Sequence, residues 1–243
     1  MLWLLLASVG PALATAVELA GCFGSSMVLQ RDVPARIWGF SSSPGARIEA
    51  TLHGSKVETS ADASGYWWLE LAAQPASAIG VDISFRSTDG SPAVVLADVL
   101  FGDVFLFSGQ SNTVFTVGMG FNATAEIDRA KSYPSIRVMT VGESRAKDPQ
   151  SLIHVSQPWT RASAPGAIGG PGVGNWSHFS AIGWFSVRNL FDRLEGRVPM
   201  GVITSAVSAT SILECKRRHA VHLPTRPTCS LFRPSGDELL TCG

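Results

Sequence analysis

The segment whose residue types most clearly suggest catalytic chemistry is residues 103–112, with the sequence DVFLFSGQSN. Its apolar run stops at a serine-glycine pair ending in Gly109, and Ser111 follows between the amide side chains of Gln110 and Asn112. A continuous apolar run is typical of a buried strand in a parallel sheet, and glycine just beyond it permits a tight turn into a helix. A serine on such a turn lies at the carboxyl edge of the sheet, where open α/β folds bind ligands. Ser111 is therefore a candidate nucleophile; the alternative is that it only caps the following helix.

The elements that must position Ser111 follow from the order of strand and helix signals in the second half of the chain. Buried apolar runs alternate there with stretches of helical periodicity, and this order predicts a parallel, doubly wound α/β sheet. The predicted strands are 104–107, 136–141 and 198–204. The predicted helices are 122–131, capped by Asn122, and 180–194, and a Pro/Gly-rich loop is expected over 157–175.

The first half of the chain has strand signals instead. Between residues 17 and 98, several short segments of alternating or β-rich sequence are separated by Gly, Pro, Ser and Asp clusters. Such spacing predicts a small β-sandwich. Trp38, Trp67 and Trp68 suggest a platform on which a sugar ring could stack, but we expect at least two of them to pack in the core or between domains.

Residues 1–16 have the features of a secretory signal peptide, namely a short apolar run and a small-x-small signature at 14–16. The run is too short to span a membrane, so we expect a secreted or lysosomal protein. Two Asn-x-Ser/Thr triplets, at Asn122 and Asn175, fit N-glycosylation in that compartment. Cys22 ends a lipoprotein-like box, but lipidation ranks below simple secretion.

The overall composition favours a globular protein with a small or neutral partner. The 243 residues are 45% hydrophobic and 16% charged, and 19 basic side chains balance 19 acidic ones. This balance argues against a nucleic-acid partner, and no stretch beyond the leader is long enough for a membrane span. None of the four cysteines has metal-ligand spacing, so no metal is expected. The disulfide pairing stays open, and so does the oligomeric state. Residues 215–243 lack periodicity and predict an irregular tail.

Several blocks, taken in order, resemble the amino-terminal portion of the sialate O-acetylesterases, which are serine-dependent members of the SGNH hydrolase superfamily. The resemblance covers approximately residues 19–212 and implies a β-sandwich-like domain over 17–98, followed by a partial SGNH hydrolase domain over 99–214. The blocks that carry it are 27–30, 37–39, 98–104, 108–112, 121–124, 180–184 and 199–203.

The resemblance also implies a reaction and a site. The family removes O-acetyl groups from sialic acids through a serine and needs no cofactor, so the implied partner is an O-acetylated sialic acid or another acetylated sugar. Ser111 then inherits the role of nucleophile, and its backbone N–H that of an oxyanion donor. Gly109, Gln110 and Asn112 are the neighbouring residues of the motif.

The sequence departs from the family pattern at other parts of the site. Ser208 and Ala209 stand in the segment that forms part of the oxyanion hole in the family, where the family has two glycines that let the backbone approach the oxyanion. A side chain there is strained if the backbone needs a positive φ. The family's Gln-Gly-Glu-Ser-Asn and Asp-x-x-His blocks have no equivalent before Gly243, and none of the histidines is an evident substitute. These are His53, His154, His178, His219 and His222.

Two interpretations follow. The first is a serine esterase of the sialate O-acetylesterase kind that is weak or inactive as this chain because its base is missing. The second is a non-catalytic, truncated or divergent secreted protein that binds glycans or another partner.

Overall fold

A computed structural model describes residues 17–88, 90–142, 152–169 and 179–208. The predicted signal peptide, the glycosylation triplet at Asn175 and the tail over 215–243 lie outside these ranges. The strands are β1 Glu18–Leu19, β2 Val28–Gln30, β3 Ala35–Phe40, β4 Arg47–Leu52, β5 Ser55–Ser60, β6 Tyr66–Leu71, β7 Ser77–Ser87, β8 Val94–Gly109, β9 Ile136–Val141, β10 Val155–Arg161 and β11 Met200–Ala206. The helices are α1 Ser111–Val114, α2 Ala123–Ala130 and α3 Ala181–Arg193, with a 3-10 turn at Val117–Met119.

The first half of the chain forms the expected sandwich of strands. A three-stranded sheet, in the order β1-β3-β6, shares one apolar core with β7, β4 and β5 of the larger sheet. Trp67 of β6 and Phe85 of β7 meet inside this core with ring centroids 6.1 Å apart. The tight turn between β4 and β5 consists of His53 and Gly54, which both have positive φ, as a two-residue hairpin with matching strand twist requires.

Strand β8 belongs to both halves of the molecule. It is 16 residues long, and its first part pairs antiparallel with β7. Its middle pairs parallel with β2, and its last part pairs parallel with β11. The predicted domain boundary between residues 98 and 99 lies inside this strand and stays a prediction.

The second half of the chain has the parallel α/β arrangement that the sequence predicts. The sheet order is β10-β9-β11-β8, with β9, β11 and β8 parallel and β10 antiparallel at the edge. On one face of the sheet, Val138 and Val202 pack with Trp184 of α3. On the other face, Met139 and Ile203 join the core of the first half. The α/β fold class is therefore confirmed.

The loop predicted from residue 157 is wrong at its start, because β10 extends to Arg161. Pro158 suggested a loop, since proline cannot donate to a strand ladder. Proline is tolerated, however, on an edge strand or at a bulge, and β10 is both an edge strand and irregular in register between Gln157 and Thr160. Trp159, beside the proline, is buried and donates its indole N–H to the backbone oxygen of Cys22 at 2.8 Å.

A polar cluster centred on Asp98 ties the two halves together. Asp98 lies where the β7–β8 register shifts and has a φ of 57°. The buried guanidinium of Arg137 in β9 holds both carboxylate oxygens, Arg161 of β10 donates from Nη2 at 3.0 Å, and the Ser26 hydroxyl donates at 3.0 Å. Partial burial alone would raise the pKa of Asp98, but these hydrogen bonds and the charge of Arg137 outweigh it and lower the pKa from 3.8 to about 2.

Candidate active site

The turn that carries Ser111 is built from the end of β8 and a single turn of helix. β8 ends at Gly109, Gln110 occupies the N-cap position, and α1 begins at Ser111. A Cβ atom on Gly109 would overlap the Thr113 side-chain oxygen, so glycine is required for the chain to turn this closely. The Val207 N–H donates to the Gly109 carbonyl at 3.1 Å, which fixes the turn to the end of β11.

Ser111 is exposed to solvent at this turn. The alternative that it caps the helix is wrong, because Gln110 is the N-cap residue and no side chain makes a capping bond there. The Ser111 hydroxyl lies 3.4 Å from Gln110 Oε1. As the first residue of α1, Ser111 has a backbone N–H that no intrahelical hydrogen bond uses. An exposed hydroxyl and a backbone N–H without an intrahelical partner thus occur on one residue.

Helix α3 supports α1 from one side. The Phe115 N–H donates to the Ser111 carbonyl at 3.1 Å, and the Phe115 carbonyl accepts from the Ala181 N–H at 2.8 Å. Ser180 caps α3 by accepting a hydrogen bond from the Gly183 N–H at 3.3 Å. The backbone around Ser111 is therefore connected directly to the first turn of a 13-residue helix.

The oxyanion segment predicted from the family pattern lies beside Ser111. Because Ala206 at the end of β11 pairs with Gly109, Ser208 emerges at the same edge of the sheet as the α1 turn. Ser208 is not one of the described residues with positive φ, so the backbone strain expected from replacing a glycine is not seen there. Ala209 lies outside the described residues.

Among the described residues, His154 reaches this edge of the sheet, and the sequence did not single it out. Gly142, directly after β9, donates its N–H to the His154 carbonyl at 2.8 Å, and a Cβ atom on Gly142 would overlap the imidazole. β11 separates β9 from β8, so the Gly142 backbone lies about 10 Å from Gly109 at the usual strand spacing. His53 lies in the β4–β5 turn instead. Within the described ranges, no imidazole contacts the Ser111 hydroxyl.

The remaining predicted residues are placed as follows. Asn112 is exposed in α1. Asn122 is exposed at the N-cap position of α2, as predicted, with a φ of 56°, but its side chain makes no capping bond. No group of three or more His, Cys, Asp or Glu side chains in the described ranges is arranged to hold a metal ion. No described helix is long and apolar enough to cross a membrane.

Comparison with solved structures defines the class of protein first. A carbohydrate acetylesterase from Xanthomonas citri superimposes with a TM-score of 0.68 at 27% identity, covering 81% of this chain and 41% of that one. The fold is that of a carbohydrate-acetylesterase-like α/β protein. No family model matches the sequence.

Comparison with curated proteins narrows the class. The chain is 33% identical over 220 residues to the sialate O-acetylesterase of Mus musculus, covering 86% of this chain and 39% of that protein. It is 32% identical over 204 residues to the Homo sapiens protein, covering 80% of this chain and 38% of that one. The chain is a homologue of the sialate O-acetylesterases, as the sequence motifs indicated, and spans about two-fifths of their length.

Proposed function

We propose that this chain carries the nucleophile of a carbohydrate O-acetylesterase, with Ser111 attacking the ester carbonyl of an O-acetylated sugar, most specifically a sialic acid. The observation that carries the proposal is the position of Ser111, exposed on a glycine-dependent turn at the carboxyl edge of a parallel sheet. The homology to sialate O-acetylesterases supports the choice of substrate.

The reaction has two steps. The Ser111 oxygen adds to the acetyl carbonyl and loses its proton to a base, and the sugar oxygen leaves with a proton as a hydroxyl. Water then attacks the acetyl-serine, which releases acetate and restores the hydroxyl of Ser111. During both additions, the negative carbonyl oxygen accepts a hydrogen bond from the Ser111 N–H, and the segment at Ser208, at the same edge of the sheet, offers a second donor.

We infer that the isolated 243-residue chain hydrolyses esters only slowly. The one described hydrogen-bond partner of the Ser111 hydroxyl is the amide oxygen of Gln110, which is not a general base. A serine without a positioned base is a weak nucleophile, although oxyanion donors alone leave a residual rate above that of water.

The test is acetate release from an O-acetylated sialic acid and p-nitrophenol release from p-nitrophenyl acetate. We expect a slow rate that Ser111→Ala abolishes and that Ser132→Ala, an exposed serine after α2, leaves unchanged. Hydrolysis that persists in the Ser111→Ala protein would refute the assignment. If neither ester reacts even at high protein concentration, the non-catalytic interpretation replaces it.

We also propose that the protein enters the secretory pathway and is secreted or lysosomal. The leader-like residues 1–16 and the two Asn-x-Ser/Thr triplets support this proposal. Asn122 is exposed, as a glycosylated asparagine must be.

A further inference from the structure

Three small residues lie side by side where the parallel strands end, namely Gly142 after β9, Ala206 in β11 and Gly109 in β8. Ala206 pairs with Gly109, and the residue before Ala206 pairs with the residue before Gly142. All three are half-buried. Because none of them carries more than a methyl group, they form a low floor that spans two strand spacings, about 10 Å.

The floor faces the same side of the sheet as helix α3. Side chains alternate between the two faces of a strand, so residues four positions apart share a face. Ala206 lies four residues beyond Val202, which packs with Trp184 of α3. The same count relates Gly142 to Val138, which belongs to the same core.

Polar side chains border the floor at both ends. At the β8 end stands α1, because a Cβ atom on Gly109 would overlap the side-chain oxygen of Thr113, and Ser111 is the first residue of that helix. At the β9 end stands the exposed imidazole of His154, which occupies the space that a side chain on Gly142 would fill. The Ser111 turn and the imidazole therefore lie on opposite sides of the floor.

The His154 imidazole is held in place by its backbone and is open to a ligand. The Gly142 N–H donates to the His154 carbonyl at 2.8 Å, whereas the imidazole makes no hydrogen bond within the described residues. A general base must come within about 3 Å of the proton it takes, and no described imidazole lies that close to the Ser111 hydroxyl. An imidazole can also donate or accept a hydrogen bond from a ligand, and its position leaves it this role.

We propose that His154 binds the sugar part of the substrate through a hydrogen bond to one of its hydroxyl groups. This inference rests on the proposed function, in which the ester carbonyl lies at Ser111. A sugar that extends from this carbonyl over the floor meets no bulky side chain until it reaches the imidazole. The hydroxyl groups on the rim of a sugar ring match the donor and acceptor nitrogens of an imidazole. His154 thus favours sugar esters over simple acetates.

The test compares two esters with the full 243-residue chain: an O-acetylated sialic acid, which has sugar hydroxyl groups, and p-nitrophenyl acetate, which has none. We expect His154→Ala to lower the ratio of kcat/KM for the sialic acid ester to that for p-nitrophenyl acetate about tenfold, through KM, as the loss of one hydrogen bond predicts. His154→Gln keeps a donor and an acceptor and is expected to restore most of this ratio. The control is His53→Asn, which replaces an exposed histidine in the β4–β5 turn by a residue that tolerates its positive φ, and we expect it to leave the ratio unchanged.

A binding measurement separates failure of this inference from failure of the proposed function. In the Ser111→Ala protein, calorimetric titration with the O-acetylated sialic acid reports binding without acetyl transfer, and adding His154→Ala is expected to weaken binding about tenfold. Equal binding with and without the imidazole would overturn the role of His154, whether or not Ser111 is the nucleophile. No binding by the Ser111→Ala protein would overturn it as well. An equal fall in kcat for both esters in His154→Ala would also overturn it, because the imidazole would then act as the base.

Discussion

Replacing Asp98 by asparagine tests the electrostatic link between the two halves of the molecule. Asparagine tolerates the positive φ of this position, so Asp98→Asn removes the charge and leaves the backbone unstrained. The pKa of the Asp98 carboxyl is about 2 in the folded chain and 3.8 in the unfolded chain, so its ionisation stabilises the folded state at neutral pH. One pKa unit corresponds to about 1.4 kcal/mol, so the lowered pKa sets an upper limit of roughly 2.5 kcal/mol on the unfolding free energy lost in Asp98→Asn. The Asp98 side chain is 26% exposed, so we expect about 2 kcal/mol after screening by solvent.

The sign of the pH dependence follows from the lowered pKa. The stabilisation by Asp98 is complete above the unfolded pKa of 3.8 and is lost as the pH falls through the folded pKa of about 2. Urea unfolding between pH 7 and pH 2 therefore measures the difference in unfolding free energy between the unaltered chain and Asp98→Asn. The difference is expected to be constant down to about pH 5 and to shrink toward pH 2.

The control for Asp98→Asn is Asp32→Asn. Asp32 forms an exposed ion pair with Arg31, and its loss is expected to cost less than about 1 kcal/mol. A difference between the unaltered chain and Asp98→Asn that is equally large at pH 7 and at pH 2 would refute the electrostatic account. It would show that the asparagine acts by altered packing around Arg137.

The turn and the exposed glycosylation triplet give two further predictions. Gly109→Ala places a methyl group against Thr113. We therefore expect the free energy of unfolding in urea to fall by about 1–3 kcal/mol, and Ser111 to be labelled more slowly by a fluorophosphonate. Labelling at the original rate would contradict the requirement for glycine. In a eukaryotic secretory host, Asn122→Gln is expected to reduce the apparent mass by one endoglycosidase-sensitive step relative to the unaltered chain, and Asn175→Gln by another. An unchanged mass would contradict glycosylation at that triplet.

The parts of the fold that were predicted from sequence are those with a strong local apolar pattern. β9 has the predicted bounds of 136–141, because four of its six residues are apolar, as is typical of a strand buried on both faces. β5 was not predicted, since it is an edge strand with mostly exposed, polar side chains and little apolar pattern. The continuity of β8 was also not evident, because Gly102 resembles a break. In the structure, a Cβ atom on Gly102 would overlap the Pro199 carbonyl, so the glycine permits a close approach within a strand.

The candidate site was predictable only where it is local in sequence. The Gly-Gln-Ser-Asn motif placed Ser111 on its turn without knowledge of the rest of the chain. The position of His154 at the same edge depends on an antiparallel strand that the sequence did not indicate. Asp98 bonds with Arg137 and Arg161, which lie 39 and 63 positions further along the chain. No local sequence pattern predicts such long-range pairs.

The shared strand β8 limits how this protein can move. Asp98 and the turn at Ser111 lie at two points of one continuous, hydrogen-bonded strand and its immediate extension. A hinge between the halves would have to break the pairing of β8 with β2, β7 or β11. The strands of the large sheet that come from the first half of the chain, β7, β4 and β5, are therefore held at a fixed distance from the turn that carries Ser111.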